Sequence, residues 1–515
     1  MFEALGYLWF GFEQTLTPFN LLMVSVGAFL GTWIGMLPGL GPAAGIALLL
    51  PVTFGMDPIS AMIMLCGIYY GTMYGGSIAS ILINTPGDAS SVMTTLDGYP
   101  MTKQGRGGVA LFTSAIASFI GGTMAIVALT LVAAPMARFA LRFGPPEQFA
   151  IMLLALIATA TLIQGSLVKG LFSMVLGLMI ATVGLDLQSG SPRFTFGVPE
   201  LFDGVSLIAI LIGVFAFSEA LRNLETILVG EWTVHRKVGR LWMTMEDWTR
   251  SRWPIVRGAV IGFIIGVFPG VGAMVATLVS YSVEYRLSSR REEFGHGAIE
   301  GVAGPESANN ASAPGALVPL LTLGIPGSAA TAVLLGALMV YGIQPGPRLL
   351  TEHPELAWGV IASLYLGNIV LVILNIPLIG IFVRLLLIPA PILNALIMLL
   401  ALTGAYSLGN RVFDIGVVIV FGILGYWLRR FGVPLAPLVL SVTLGGGLEQ
   451  SLRQSLSLSN GDWLVFVERP ISAILLAFAL LVVCGPVLSS IYRSHAMRRA
   501  DVQAVAPGQD TPYRN

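Results

Sequence analysis

The chain has 515 residues, 55% of them hydrophobic and only 10% charged, with a mean hydropathy of +0.84. Soluble domains carry about a quarter charged residues, so the polar surface of a water-soluble globule is missing. The 27 Lys and Arg balance the 27 Asp and Glu, which removes any bulk electrostatic case for nucleic acid.

Residues 1–18 contain Glu3 and Glu13 but no Lys or Arg. A signal peptide starts with a basic stretch, so this segment is expected to stay as an interfacial N-terminus. Apolar windows long enough to cross about 30 Å of hydrocarbon then recur along the chain. The clearest are 19–37, 109–134, 204–221, 258–280, 357–383 and 471–491, within a total of roughly ten to twelve spans. Outer-membrane barrels show apolar/polar alternation over about ten residues, and that pattern is absent. The expected fold is an all-α polytopic membrane protein. Its parts are a membrane repeat at 19–221, a cytoplasmic linker at 222–257 and a second repeat at 258–450. A periplasmic loop with an extra span follows at 451–492, then a cytoplasmic tail at 493–515.

The repeat rests on two matched pairs of motifs. Gly31-Thr-Trp-Ile-Gly35-Met-Leu-Pro38-Gly39-Leu-Gly41 aligns with Gly262-Phe-Ile-Ile-Gly266-Val-Phe-Pro269-Gly270-Val-Gly272. Asn84-Thr85-Pro86-Gly87-Asp88-Ala89-Ser90 aligns with Gly324-Ile325-Pro326-Gly327-Ser328-Ala329-Ala330. The second pair is offset further than the first, which places a short insertion in the charged stretch 284–293. Lys and Arg collect in cytoplasmic loops. No basic residue precedes the first repeat, whereas Arg250, Arg252 and Arg257 lead into the second. Lys103 and Arg106 follow the second motif of repeat one, while Arg348 is offset by Glu352 and Glu355 in repeat two. Arg493, Arg498 and Arg499 place the C-terminus inside. The pattern predicts inverted repeats, with Arg138 and Arg142 the loop residues that do not fit. The linker holds Trp232, Trp242, Trp248 and Trp253 among its charges. It reads as an interfacial helix or as a docking surface for another subunit.

A Pro-Gly pair inside an apolar segment breaks a helix, because proline removes a donor and glycine admits left-handed backbone. In hydrocarbon the freed amides and carbonyls cost several kcal/mol each, so a break persists only inside protein or against a wet cavity. Broken helices at matching places in two repeats point to a transporter's binding site. Half-helix N-termini suit carboxylates, and unwound carbonyls suit a cation such as Na⁺. A single break could equally be a packing kink; four in register favour a site. The candidate binding residues are Gly39, Gly41, Asn84, Thr85, Pro86, Gly87, Ser90, Ser91, Gly270, Gly272, Ser307, Asn309, Asn310, Pro326, Gly327 and Ser328. Asp88 and Glu306 are the cation-coupling candidates, since intramembrane carboxylates are costly and usually functional. Asn309 and Asn310 could instead bridge helices, and the two carboxylates could sit at a wet boundary. His296 reads as a loop residue, Glu219 beside Arg222 as an interfacial ion pair, and Cys66 and Cys484 as buried free thiols.

These blocks resemble the large membrane subunit of the tripartite tricarboxylate transporter family. The likeness is carried by Gly-Met-Leu-Pro-Gly-Leu-Gly-Pro (35–42), Tyr-Tyr-Gly-Thr-Met-Tyr-Gly-Gly-Ser (69–77) and Asn-Thr-Pro-Gly-Asp-Ala-Ser-Ser (84–91). It continues through Leu-Asp-Gly-Tyr-Pro (96–100), Gly-Pro-Glu-Ser-Ala-Asn-Asn-Ala (304–311) and Leu-Thr-Leu-Gly-Ile-Pro-Gly-Ser (321–328). The resemblance covers about residues 15–490. It implies a multi-pass permease in the bacterial inner membrane, working with a small membrane subunit and a periplasmic substrate-binding protein. It further implies uptake of di- or tricarboxylates such as citrate by Na⁺ or H⁺ symport. No cofactor is expected beyond Na⁺ as a possible coupling ion. Two other classes compete. A membrane-embedded enzyme would need a nucleophile with a base or a metal cluster. The four histidines, His235, His296, His353 and His495, are scattered, and no H-E-x-x-H, G-x-S-x-G or Walker A motif occurs. A passive organic-anion channel would explain wet breaks without coupling.

Overall fold

The computed structural model describes residues 2–162, 166–186, 189–227, 239–385 and 388–484. Trp232, His235, Arg493, His495, Arg498, Arg499 and the tail assigned to 493–515 lie outside the described residues. The first half runs α1 (Phe2–Thr15), α2 (Pro18–Gly35), α3 (Pro42–Leu49), α4 (Pro58–Ile83), α5 (Val92–Lys103) and α6 (Gly107–Ala140). It continues with α7 (Pro145–Leu162), α8 (Leu167–Ala181), a two-stranded hairpin at 184–193, α9 (Leu207–Leu211) and α10 (Ser218–Ile227). A π-helical stretch, Ile212–Phe217, joins α9 to α10. The second half runs α11 (Met245–Val267), α12 (Gly272–Leu287), α13 (Glu300–Leu323), α14 (Ala329–Val340), α15 (Leu349–Glu352) and α16 (Pro354–Asn375). It ends with α17 (Ile379–Leu385), α18 (Ala390–Gly409), α19 (Val412–Arg430), α20 (Leu435–Leu458), α21 (Val465–Glu468) and α22 (Pro470–Cys484).

The protein is an all-α, multi-pass membrane protein. Among the described residues, five helices are long and apolar enough to cross a bilayer, including α2, α6, α16 and α19. The window at 258–280 is not one span: α11 stops at Val267 and α12 starts at Gly272, because Pro269-Gly270 falls between them. The window at 357–383 ends as a helix at Asn375, and 471–491 leaves the described residues after Cys484. At the segment assigned to the linker, helix already begins at Met245, where a Thr244/Asp247 capping box satisfies the first free amides.

Each half opens with a helix that breaks and folds back. Glu284, in the last turn of α12, pairs with Arg257 in the middle of α11 at 2.5 Å, so α12 returns along α11. Gly45 of α3 likewise lies against Ile34 of α2. Small residues then let the next helix approach backbone to backbone. A Cβ on Gly27, Gly31 or Gly35 of α2 would come within 2.3–2.4 Å of the carbonyls of Met64, Ile68 and Thr72 on α4. On α11, Gly258, Gly262 and Gly266 meet Gly304, Ala308 and Ser312 of α13 at the same 2.3–2.4 Å. These three-glycine seams sit at matching positions of the two halves. The nine-residue difference in spacing falls between the starts of α12 and α13, mostly within α12, which is 16 residues long against 8 for α3, ahead of the loop that leads to α13. His296 lies in that intervening loop.

Asp97 of α5 fastens that loop from the other half. One of its carboxylate oxygens accepts the amides of Gly295, Gly297 and Ala298 at 2.8–2.9 Å, and the other accepts the Tyr281 hydroxyl at 2.9 Å.

Candidate functional site

The breaks bring the two Pro-Gly motifs of each half together by one backbone bond. Gly39 N–H donates to the Gly87 carbonyl at 2.9 Å, and Gly270 N–H donates to the Gly327 carbonyl at 3.0 Å. The flanking caps repeat as well. Asn84 ends α4 in left-handed backbone (φ 56°) where Gly324 ends α13 (φ 72°). Asp88 and Ser91 form a capping box before α5, as Ser328 and Thr331 do before α14. Gly39 and Gly270 both carry φ +82°, a conformation that costs side-chain-bearing residues about 1–2 kcal/mol.

All four breaks face one cavity of about 750 Å³. Its wall holds the first turns of α3 (Ala43, Ala44), α12 (Ala273, Met274) and α14 (Ala329, Ala330), with the Ala89–Ser90 turn ahead of α5. First-turn amides have no intrahelical acceptor and carry the positive end of the helix dipole. Four such ends around one space make a setting for anionic groups. The amides of Gly39 and Gly270 are themselves taken up by the bonds between motifs, and that of Gly41 by the Gly39 carbonyl. The donors left for a ligand therefore belong to the residues just beyond the glycines.

Of the residues singled out from sequence, Gly39, Gly41, Thr85, Pro86, Asp88, Ser90, Gly270, Gly272, Pro326 and Ser328 line this cavity. Asp88 accepts the Ser90 hydroxyl at 2.8 Å, and Tyr69 reaches Ser328 at 3.5 Å. The others do not line it: Asn84 is exposed at the end of α4, and the rest lie behind the wall. Asn84 caps α4, and Ser91 is buried in its capping box. Gly87 and Gly327 are packed on the backbones of Gly35 and Ala316. Ser307 donates to the Ile255 carbonyl at 2.6 Å, in the α11–α13 seam. Asn309, Asn310 and Glu306 are fully buried in α13. Glu306 sits among hydroxyls rather than in the cavity.

The sequence reading missed one wall of the site. Glu219, Arg222 and Asn223 of α10 and Arg429 of α19 line the cavity. Glu219 does not form an interfacial pair with Arg222 alone: it is 1% exposed and bonds Arg429 directly. Its Oε1 lies where a Cβ on Gly39 would stand, so the ion pair touches the first break. The missed signal is periodicity, since positions 219, 222 and 223 share one helical face straight after a π stretch, a feature that clusters at functional sites.

A sequence profile of the Tripartite tricarboxylate transporter TctA family matches residues 21–440. The chain belongs to that family. Two similar proteins come from Agrobacterium vitis. The "Uncharacterized 52.8 kDa protein in TAR-I ttuC' 3'region" is 48% identical over 95% of this chain and 98% of its own length. The "Uncharacterized protein in TAR-II ttuC' 3'region" is 51% identical over 40% of this chain and 86% of its own. No solved structure matches. Membership makes this TctA-family chain a transporter component, and the matched range includes all four breaks, α10 and α19.

Proposed function

We propose that this chain is the large permease subunit of a three-component, binding-protein-dependent secondary transporter that takes up citrate-like di- and tricarboxylates with a cation. Its partners are a small membrane subunit and a periplasmic substrate-binding protein, in the bacterial inner membrane. The observation that carries the reading is the cavity in which four helix N-termini, two from each half, face Arg222 and Arg429. Amides and guanidinium groups are the two chemistries that hold carboxylates. A space of about 750 Å³ is within the usual range of roughly 300–1,000 Å³ for small-molecule sites.

Arg222 is an exposed residue at the rim of this space, and Arg429 and Arg430 end α19 nearby. Basic residues favour the cytoplasmic side, so we assign the conformation as open inward. Inversion of the two halves supplies the opposite state. Exchanging which half's seam lies open exposes the same four breaks to the periplasm, an alternating-access cycle built on repeat symmetry. Moving a divalent anion into a negative cell costs about 2.3 kcal/mol per charge per 100 mV. Symport of two or more cations removes that cost, with Asp88 and Glu306 as the carboxylates placed to receive Na⁺ or H⁺. The test is uptake into proteoliposomes holding both membrane subunits, with binding protein outside, while Na⁺ and proton gradients are collapsed separately. Carboxylate accumulation should require the binding protein and one gradient. Uptake indifferent to both gradients, or to the binding protein, overturns the reading.

A further inference from the structure

We infer that Glu306 is the anionic ligand of a dehydrated Na⁺ site that joins the two halves behind the cavity wall. The inference rests on the cation-driven reading above and gives it an address. Glu306 is completely buried, and among the described residues no Lys, Arg or His pairs with it. Its partners are neutral oxygens from three helices of the other half. Thr94 of α5 donates to one carboxylate oxygen, and Ser77 of α4 and Ser114 of α6 donate to the other, Ser114 at 3.0 Å. Ser118 follows at 3.5 Å and itself accepts the Asn310 amide at 2.6 Å. Among the described residues, the fully buried Asn310 side-chain oxygen has no partner, and neither polar atom of the neighbouring Asn309 side chain has one.

Two features separate this cluster from ordinary helix packing. Hydroxyls in apolar helices bond back to the carbonyl four residues earlier, as Thr113 and Thr130 of α6 do at 2.7–2.8 Å. On the same helix Ser114 and Ser118 turn to Glu306 instead. The cluster also breaks the repeat. In the register that matches the caps, Glu306 corresponds to Cys66, while Ser77 and Thr94 correspond to Leu317 and Leu334. The scaffold is thus built twice and the oxygen cage once, so packing does not demand it.

The chemistry asks for one positive charge. A buried carboxylate without a counter-charge is expensive. Hydroxyls within reach of both its oxygens can donate to an ionised carboxylate, for which a bound cation and a proton are the two ways of offsetting the charge. Each hydroxyl can rotate to present lone pairs instead. Glu306, Ser77, Thr94, Ser114, Ser118 and Asn310 then supply hard oxygens with a single negative charge, a set for a monovalent hard cation rather than Ca²⁺. The cage is one helical turn from the cavity: Met73 and Ser90 line the wall, and Ser77 and Thr94 follow each by four residues. Occupancy would pin α4, α5 and α6 to α13, coupling the cation to the position of the breaks.

The test is equilibrium binding of ²²Na⁺ to the purified full-length chain in lipid nanodiscs, competed with unlabelled Na⁺ or K⁺. Saturable binding displaced by Na⁺ is expected, weakened about tenfold or more in Glu306→Gln, because ligand charge sets cation affinity. Thr94→Val, which keeps the carboxylate, should weaken it less, and Cys66→Ala should leave it unchanged. Should Glu306→Gln fail to give monodisperse protein, Thr94→Val carries the test. No saturable ²²Na⁺ binding by folded wild type, or unaltered binding in these two cage variants, overturns the proposal. Loss of pH-driven uptake in Glu306→Gln without any ²²Na⁺ binding overturns it in favour of a proton. Na⁺ binding at Glu306 in a protein that moves no carboxylate keeps the site and removes the transport reading.

Discussion

Gly270 and Gly272 offer a paired test of whether the breaks form the working site. Both have positive φ, +82° and +72°, so alanine at either costs about 1–2 kcal/mol in backbone strain. They differ in what a Cβ meets. At Gly272 there is nothing within 4 Å, whereas at Gly270 the new atom lands 2.2 Å from Thr159 Oγ1 and 2.3 Å from Thr159 Cα. Turning the threonine side chain leaves the Cα collision in place, so α7 or the break must move. Overpacking of this kind costs about 1–3 kcal/mol. Gly270→Ala therefore carries about 2–5 kcal/mol against about 1–2 for Gly272→Ala. With about 1.4 kcal/mol per factor of ten, and the strain falling on the transporting conformation, uptake should fall by about 25-fold or more in the first and by about 5- to 25-fold in the second. The assay is binding-protein-dependent carboxylate uptake in proteoliposomes at matched protein density, with the melting temperature measured in parallel. Gly270→Ala transporting at the wild-type rate, or Gly272→Ala failing as badly, refutes the assignment of Gly270 as the point where α7 closes on the break.

Two further substitutions probe the contacts around the site. Arg429→Gln leaves the buried Glu219 carboxylate against Gly39 with only Arg222 to offset its charge and should destabilise the protein by up to about 3–5 kcal/mol, the cost of removing one partner of a buried pair. The double change Glu219→Gln with Arg429→Gln should recover most of the melting temperature but not carboxylate uptake; recovery of both would remove Arg429 from the binding surface. Asp97→Ala leaves the buried amides of Gly297 and Ala298 without their acceptor, a loss of about 2–6 kcal/mol at roughly 1–3 for each unpaired buried group. Asp97→Asn retains one oxygen for those amides and should cost about 1.5 kcal/mol or less. Equal melting temperatures for the two variants would mean that the loop 294–298 holds itself.

The membrane fold and the repeat were legible because each is written in backbone-determining residues. Pro269-Gly270, Pro38-Gly39 and the left-handed Asn84 dictate where helices stop, and Asp88 and Ser328 dictate how the next ones start. Those are local instructions, and they survive in one dimension. Depth behind the wall was not legible. Ser90 and Ser91 are adjacent in sequence, yet one faces the cavity and the other is buried in its own cap. Gly41 and Gly87 are equally Pro-flanked, yet only Gly41 reaches the cavity. The α10–α19 wall was half legible: positions 219, 222 and 223 share a local helical face, but the partner of Glu219, Arg429, is 210 residues away and that pairing leaves no local pattern.

The asymmetry between the halves bears on how coupling can work. Two equivalent cages would let either half bind a cation without regard to the other, and occupancy would not distinguish inward from outward states. A single cage with its carboxylate on α13 and its hydroxyls on α4, α5 and α6 exists only while the halves hold one relation to each other. A ligand shifts a conformational equilibrium only by its differential affinity for the two states. In the cycle we propose, the cage would give the cation that difference, and the cavity, floored by breaks from both halves, would give it to the carboxylate. Because Ser90, in the turn just ahead of α5, precedes Thr94 by four residues, that end of α5 would meet both ligands in the proposed cycle. Thr94→Val should therefore loosen the link, raising the cation concentration needed for half-maximal uptake while leaving carboxylate affinity at saturating cation near wild type. Equal losses in both would show that α5 serves the fold alone.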